Sequence, residues 1–301
     1  MDYEVIIVGG GPAGLSAAGE LSGAGRRVLV LDRESFGGQV GRLEWIENYP
    51  GPGERVEGPG LANALIEQAG GVKMELGEVV EIESYSGCRS VTCADGKAYT
   101  APVVIVAGGL HPRPLGIPGE EKFQGKGMIH CAFCDGGLYT GKTVAVCGGG
   151  DAGLMEALYL SRFAAQVHVI EAQPQLSAAA ELLARARGNP KLDIRTGYRP
   201  VFIGGDEFVT AIAIQPSTGG AVEKLEVYGI LVHAGFDPVT GYLEGMVGLN
   251  EQALVEVNGD LQTDAEGVLA AGDIRAGSPR GVAAAVSDGR AAAATALRLL
   301  G

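Results

Sequence analysis

Twice in this chain a β-branched run enters three consecutive glycines, continues as a helical pattern, and ends on an acid after a second apolar run. The first copy is Val5-Ile6-Ile7-Val8, GGGPAG (9–14), a helix marked by Leu15, Ala18 and Leu21, the run 28–31, and Asp32. The second is 143–147, GGGDAG (148–153), a helix marked by Leu154, Leu158 and Leu160, the run 167–170, and Glu171. First glycine and terminal acid stand 23 positions apart in both copies, which are offset by 139. Continuous β-branched runs of this kind are strands buried on both faces of a parallel sheet, so each copy reads as a βαβ unit. One G-x-G-x-x-G in a glycine-rich chain says little; two at the same spacing, each between strand and helix, specify an α/β protein with two nucleotide-binding units.

Composition fits that reading. The 301 residues suffice for two domains. The 50 glycines are about 17% of the chain against an average of roughly 7%, and they follow neither a collagen period nor a linker. With 23 Lys+Arg against 36 Asp+Glu the net charge is −13, which opposes binding to nucleic-acid phosphates or to an anionic membrane. No apolar stretch reaches the roughly 18 residues of a span. Asp2 and Glu4 precede a first apolar run too short for an export signal, and five cysteines make no disulfide scaffold, so a cytoplasmic protein is expected.

In such a unit the first glycine permits the tight turn, the second admits a pyrophosphate, the third packs helix on strand, and the acid takes a ribose hydroxyl. Gly9, Gly11, Gly14 and Asp32 meet these needs once, with Pro12 and Ala13 inside the fingerprint and Arg33 after the acid. Gly148, Gly150, Gly153 and Glu171 meet them again, with Asp151 inside. The other reading, glycine turns without a ligand, stays open, more so for the second copy.

Cys131-Ala132-Phe133-Cys134 is the one CxxC, followed by Asp135. Two thiols at this spacing close a small ring, and an adjacent acid can move protons to or from a thiolate. Zinc would need two more ligands, but Cys88, Cys93 and Cys147 stand alone and His130 is too close in sequence; no metal is expected. An inert buried pair is the remaining alternative to redox chemistry. Elsewhere, 103–106 reads as a buried strand before Ala107-Gly108-Gly109, 267–273 as a strand and tight turn, and 281–300 as an alanine-rich packing helix. His111-Pro112-Arg113-Pro114 resists helix and sheet and suits a crossing between domains. His111 and His233 are read as ordinary residues of connections or strand ends, and Trp45 and Tyr49 as packing residues.

The chain resembles the low-molecular-weight thioredoxin reductases over nearly its whole length. The resemblance is carried by GGGPAG (9–14), GGQV (37–40), WIENYPG (45–51), LGIPGEE (115–121), HCAFCDG (130–136), GGGDAGLMEALYLS (148–161) and GVLAAGDI (267–274). It implies two Rossmann-like domains: a discontinuous FAD domain, 1–114 plus 246–301, and an inserted nucleotide and redox domain, 115–245. Gly38, Gln39 and Asn48 would lie along the flavin, with Ala107, Gly108, Gly272, Asp273, Arg280, Gly281 and Val282 completing its site. Cys134 would face the flavin, Cys131 would attack an external disulfide, and Asp135 would protonate the leaving thiolate. The partner implied is thioredoxin or a small disulfide or dithiol, the assembly a homodimer, and 112–118 and 237–245 would be hinges for rotation of the inserted domain.

Three departures qualify the resemblance. Where the family has a basic His-Arg-Arg run for the NADPH 2′-phosphate, this chain has Glu171-Ala172-Gln173, which suits NADH. Ala152-Gly153 replaces the usual Ser or Thr followed by Ala, and Gly281 replaces a glutamine after Arg280. The leading expectation is an FAD-dependent reductase of protein disulfides with NADH as donor. Its rivals are a non-nicotinamide donor (ferredoxin or a second flavin), a dithiol oxidase passing electrons to oxygen, and a flavin-bound redox sensor.

Overall fold

A computed structural model of the chain describes residues 1–46, 49 and 55–301. The chain divides into two compact units, Met1–His111 with Asp237–Gly301, and Pro112–Phe236. Each holds a five-stranded parallel sheet. In chain order the strands are β1 (Val5–Val8), β2 (Val28–Asp32), β3 (Lys73–Leu76), β4 (Val103–Val106), β5 (Met128–Ile129), β6 (Thr143–Cys147), β7 (Gln166–Glu171), β8 (Leu192–Thr196), β9 (Gly229–Val232) and β10 (Val268–Ala270). The helices are α1 (Pro12–Gly23), α2 (Gly58–Gln68), α3 (Ala132–Asp135), α4 (Asp151–Leu160), α5 (Ala180–Arg187) and α6 (Val282–Leu300).

The first unit's sheet has the order β10-β4-β1-β2-β3 and the second's β5-β9-β6-β7-β8. The duplication therefore extends beyond the βαβ core. In both, a three-stranded antiparallel sheet is inserted between two of the parallel strands: Val79–Tyr85, Cys88–Cys93 and Ala98–Ala101 between β3 and β4, and Tyr198–Gly205, Val209–Pro216 and Glu223–Glu226 between β8 and β9.

Period-2 geometry sends alternate residues of each central strand to different cores. Val5 and Ile7 of β1 pack against α1 and α6, whereas Ile6 and Val8 face Val91, Leu243 and Val255. In β6, Val144 and Val146 face the α4 side, while Ala145 and Cys147 join Phe123, Ile212 and Ile230. Leu297 and Leu300 of α6 lie against the first core, in the packing role expected of them.

The crossings between units fall at 111/112 and 236/237, earlier than the 114/115 and 245/246 expected from sequence. Segment 237–245 is not a free connection, because it carries the 3₁₀ turn Gly241–Leu243, and Leu243 is fully buried in the first unit. Leu110–Pro112 is a short strand, where His111-Pro112-Arg113-Pro114 predicts neither helix nor sheet. Proline is tolerated at this strand's last residue, where its missing N–H breaks no interior ladder. In the second unit the Arg113 N–H donates to Gly235 O, so the two crossing segments run side by side.

Helices α1 and α6 touch through backbone at Gly289, where an added Cβ would stand 2.1 Å from Ala13 O. Gly289→Ala should destabilise the protein by about 1–3 kcal/mol through overpacking. Gly23→Ala, on α1 where a Cβ meets nothing, should instead stabilise by about 0.4–1 kcal/mol. Thermal denaturation of both variants checks the pair; equal effects would contradict this packing.

Candidate functional site

Both glycine loops are shaped by backbone contacts that exclude a side chain. Gly9 has φ +115° and a Cβ on it would lie 2.3 Å from Ala107 O; Gly148 has φ +127° and a Cβ there would lie 2.1 Å from His233 O. The third glycines close the turn, since Cβ atoms on Gly14 and Gly153 would stand 1.9 and 2.1 Å from the carbonyls of Gly9 and Gly148.

The acids fasten the same loops. Asp32 Oδ2 accepts the Gly10 N–H at 2.7 Å, and Glu171 Oε2 accepts the Gly149 N–H at 2.7 Å. Asp32 Oδ1 also takes the amides of Glu34 and Ser35, and Glu171 Oε1 that of Gln173. A carboxylate has about four acceptor sites, so each retains capacity for a hydroxyl. A loop then returns over the middle glycine in both copies: Gly37 N–H donates to Gly10 O beside Phe36, and Ser177 N–H to Gly149 O beside Leu176. Neither Phe36 nor Leu176 is recognisable from sequence as a covering residue, because only the fold shows them to be equivalent.

The first unit gathers its sequence-predicted residues around the start of α1. Gly11 and Gly38 nearly touch, a Cβ on Gly38 lying 2.9 Å from Gly11 Cα, and one on Gly272 would lie 3.0 Å from Ala13 Cβ. Gln39 donates through Nε2 to Leu110 O. The 12-residue helix α1 begins at Gly11 and Pro12 with no side-chain cap and no acid in its first turn, which leaves its amides and dipole to an anion. Burial pushes the Asp273 carboxyl up, while Arg280, Ser278 and the Gly281 N–H pull it down. Arg280 (φ +61°) and Gly281 (φ +97°) lead into Val282, the first residue of α6. Asn48 lies outside the described residues.

Arg275 and Asp288 were not singled out from sequence. Arg275 grips Asp288 through Nε (2.6 Å) and Nη2 (2.9 Å), and Asp288 Oδ2 accepts the Gly272 N–H at 3.0 Å. This clamp ties the turn bearing Asp273 to α6.

A cleft beside Asp32 is lined by Gly9, Arg33, Gly108, His111 and Tyr242. Tyr242 Oη is buried there with no partner, a polar atom suited to a bound ligand. Arg33 Nη2 lies 2.5 Å from His111 Nδ1, and His111 Nε2 is 3.2 Å from Gly108 O. A guanidinium can only donate, so Nδ1 accepts and the neutral ring carries its proton on Nε2, donating to Gly108. Burial, reinforced by Arg33, pushes the imidazole below its ordinary value. These features together fit the phosphates and ribose of a dinucleotide such as FAD.

The second loop has a matching frame with different charge. Asp151 sits in the first turn of α4, and its Oδ1 accepts the Ala179 N–H at 2.7 Å, fastening the covering loop. Residues 172–178 contain no basic side chain, and among the described residues no Lys or Arg pairs with Glu171.

Cys131 and Cys134 form a disulfide with Cα atoms 5.3 Å apart. Cys131 caps the four-residue α3, its Sγ accepting the Cys134 N–H at 3.0 Å, and the Asp135 N–H donates to Cys131 O. Cys134 is exposed, whereas Cys131 is only 5% exposed. Of the other cysteines, Cys93 and Cys147 are buried and Cys88 half-buried. Burial pushes the Cys147 thiol up to about 12. Among the described residues no cluster could hold a metal ion.

The pyridine nucleotide-disulphide oxidoreductase family matches residues 3–289. This chain belongs to that family. Within it, the chain falls with the low-molecular-weight thioredoxin reductases. It is 35% identical over 294 residues to a thioredoxin reductase of Bacillus subtilis, covering 97% of this chain and 92% of that protein. The solved structure of Lactococcus lactis thioredoxin reductase in its FR conformation matches with a TM-score of 0.91 at 32% identity, covering 99% of each chain. That of the T. acidophilum thioredoxin reductase matches at 0.89 and 30%, covering 99% of this chain and 98% of that one. The chain is thus a thioredoxin reductase-like flavoenzyme with a redox disulfide, of a family that uses FAD and a nicotinamide cofactor. Among the described residues no helix is long and apolar enough to cross a membrane.

His111 gives this enzyme a pH response. Its native pKa is depressed, so the unfolded chain binds the proton more readily and stability is lost as pH falls below the ordinary histidine value near 6.5. Replacing it by Gln should flatten the decline in melting temperature between about pH 7 and 5; an unchanged slope would contradict the depression of the imidazole by burial and Arg33.

Proposed function

We propose that this flavoenzyme reduces the disulfide of a thioredoxin-like protein, with NADH as electron donor. The observation that carries the donor assignment is Glu171. Its carboxylate is bound to the second glycine loop at the position of a ribose hydroxyl acceptor, and the segment that follows it, 172–178, brings no basic side chain to receive a 2′-phosphate. A carboxylate facing a phosphate dianion repels it, and each lost charge-assisted contact costs about 1.5–3 kcal/mol. The matched frames of the two loops support one dinucleotide in each unit, FAD on the first and NADH on the second. The relatives' names support thioredoxin as the substrate, and the resemblance supports a homodimer.

In this reading the amides at the start of α1 hold the FAD pyrophosphate, Asp32 its ribose, and Gly38, Gln39, Ala107, Gly108, Gly272, Asp273, Arg280, Gly281 and Val282 the rest of its site. When bound, FAD supplies two-electron exchange between a nicotinamide and a disulfide. The chain's own groups carry the thiol chemistry. Cys131 thiolate attacks the substrate disulfide; a mixed disulfide forms, the substrate S–S bond breaks, and Asp135 protonates the departing sulfur. Cys134 thiolate then attacks Cys131 Sγ, closing the internal disulfide and releasing the second substrate thiolate. The hydrogen bond from the Cys134 amide to Cys131 Sγ favours the thiolate on Cys131.

Anaerobic titration of the flavin-loaded protein tests the donor. NADH should bleach the flavin at stoichiometric amounts and NADPH should not. Bleaching by dithionite alone would favour a non-nicotinamide donor, and peroxide formation from a dithiol without nicotinamide would favour the oxidase. Glu171→Ala should lower kcat/KM for NADH by about tenfold or more, one lost hydrogen bond to a charged group. An unchanged value would remove the second loop from the reaction.

Alkylation separates the roles of the two sulfurs. After reduction at neutral pH, iodoacetamide should label Cys131 before Cys134, while Cys147 remains unlabelled at its raised pKa. Because Cys131 is buried in the disulfide state, exclusive labelling of Cys134 would reverse the assignment of attacking thiol.

A further inference from the structure

Behind the cysteine pair, in the same unit, lies a carboxylate–imidazole pair that the reaction above does not use. Glu156 on α4 accepts the Ala132 N–H at Oε2 (3.3 Å), and its Oε1 stands 3.2 Å from His233 Nε2. The two side chains are 16% and 12% exposed. His233 is fixed at the end of β9, its N–H donating to Cys147 O and its own carbonyl pressed against Gly148. Neither ring nitrogen makes a hydrogen bond: Nε2 faces the carboxylate off the hydrogen-bond axis, and Nδ1 has no partner. A buried polar ring without hydrogen bonds is destabilising, and an apolar side chain could fill the position without that penalty. The exception calls for a role.

We propose that Glu156 and His233 are positioning residues that set the reduction potential of the Cys131–Cys134 disulfide, an inference that rests on the disulfide reductase reading. Reduction adds two electrons, breaks the S–S bond, and takes up one proton when one sulfur remains a thiolate. That thiolate is favoured on Cys131 by the Cys134 amide. Glu156 occupies the amide that follows Cys131, that of Ala132, and brings a shielded negative charge up to the pair, which opposes the thiolate. His233 sits on the far oxygen of the same carboxylate and damps its field, whether as an imidazolium or through a neutral ring polarised toward it. The two residues therefore act on the dithiol with opposite signs. Asp135, next to Cys134 in sequence, and His130, next to Cys131, are the same in every comparison below.

The test uses the flavin-loaded full chain equilibrated at pH 7 in glutathione redox buffers, with the oxidation state of Cys131 and Cys134 read by thiol labelling and mass spectrometry. Two glutathione molecules supply the electrons and leave as their disulfide. Glu156→Gln keeps the shape and the acceptor for Ala132 while removing the charge. It should move the equilibrium about tenfold toward the dithiol, or about 30 mV for a two-electron couple. His233→Phe should move it the opposite way, and the double variant should match Glu156→Gln alone. Should His233→Phe not fold, His233→Leu replaces it. Shifts of the same sign in both single variants, or none beyond twofold, would overturn the inference. Such a result alongside normal NADH-driven turnover of the unsubstituted protein would leave the proposed function standing. A cysteine pair that no buffer reduces would remove both.

Discussion

A carboxylate at the end of one strand accepts the amide proton of the glycine loop that leaves the neighbouring strand, and the architecture of both units turns on that bond. Asp32 and Glu171 each make it, at the same length. It holds the middle glycine against the strand end, which orients the following amides along the helix and keeps the loop narrow enough for the backbone contacts at Gly9 and Gly148. A side chain on either first glycine would push the loop off its neighbour, and the acid would lose its amide. Strand, turn, helix and acid therefore stand or fall together in each unit, which explains why so long a spacing recurs unchanged.

The parts legible in the sequence were those whose physics is local. β1 and β6 could be read directly because strands buried on both faces need no alternation, and the loops because only glycine tolerates the approach of Ala107 O or His233 O. The CxxC was visible because ring closure depends on spacing alone. The rest required distant partners. The Arg275–Asp288 clamp joins a turn to a helix with nothing in either segment to signal it. His233 read as an ordinary strand-end residue, since its nearness to Glu156 exists only after β9 has paired with β6. The misplaced crossing at 245/246 has the same origin: a polar, glycine-bearing stretch looked like a connection, and only the burial of Leu243 shows it belongs to the first unit.

Chemistry is distributed by the same division. The first unit offers uncapped helix amides, an unpartnered tyrosine hydroxyl and a neutral histidine locked by an arginine, all suited to holding a large anion still. The second offers a disulfide with one buried and one exposed cysteine beside acids, suited to exchange. Its four-residue helix is too short to fix those sulfurs by itself, so their setting depends on α4 and on what α4 carries.

One feature of the topology bears on how the protein is made. The fifth strand of the first sheet, β10, arrives only after the entire second unit has been synthesised, whereas the second unit recruits its own fifth strand, β5, from just upstream. A ribosome delivering this chain from its N-terminus thus releases an inner sheet that can complete itself while the outer one waits with the edge of β4 unpaired. The exposed rim of that half-built sheet is where aggregation during translation would begin, and the alanine-rich α6 that follows β10 is the piece that finally covers it.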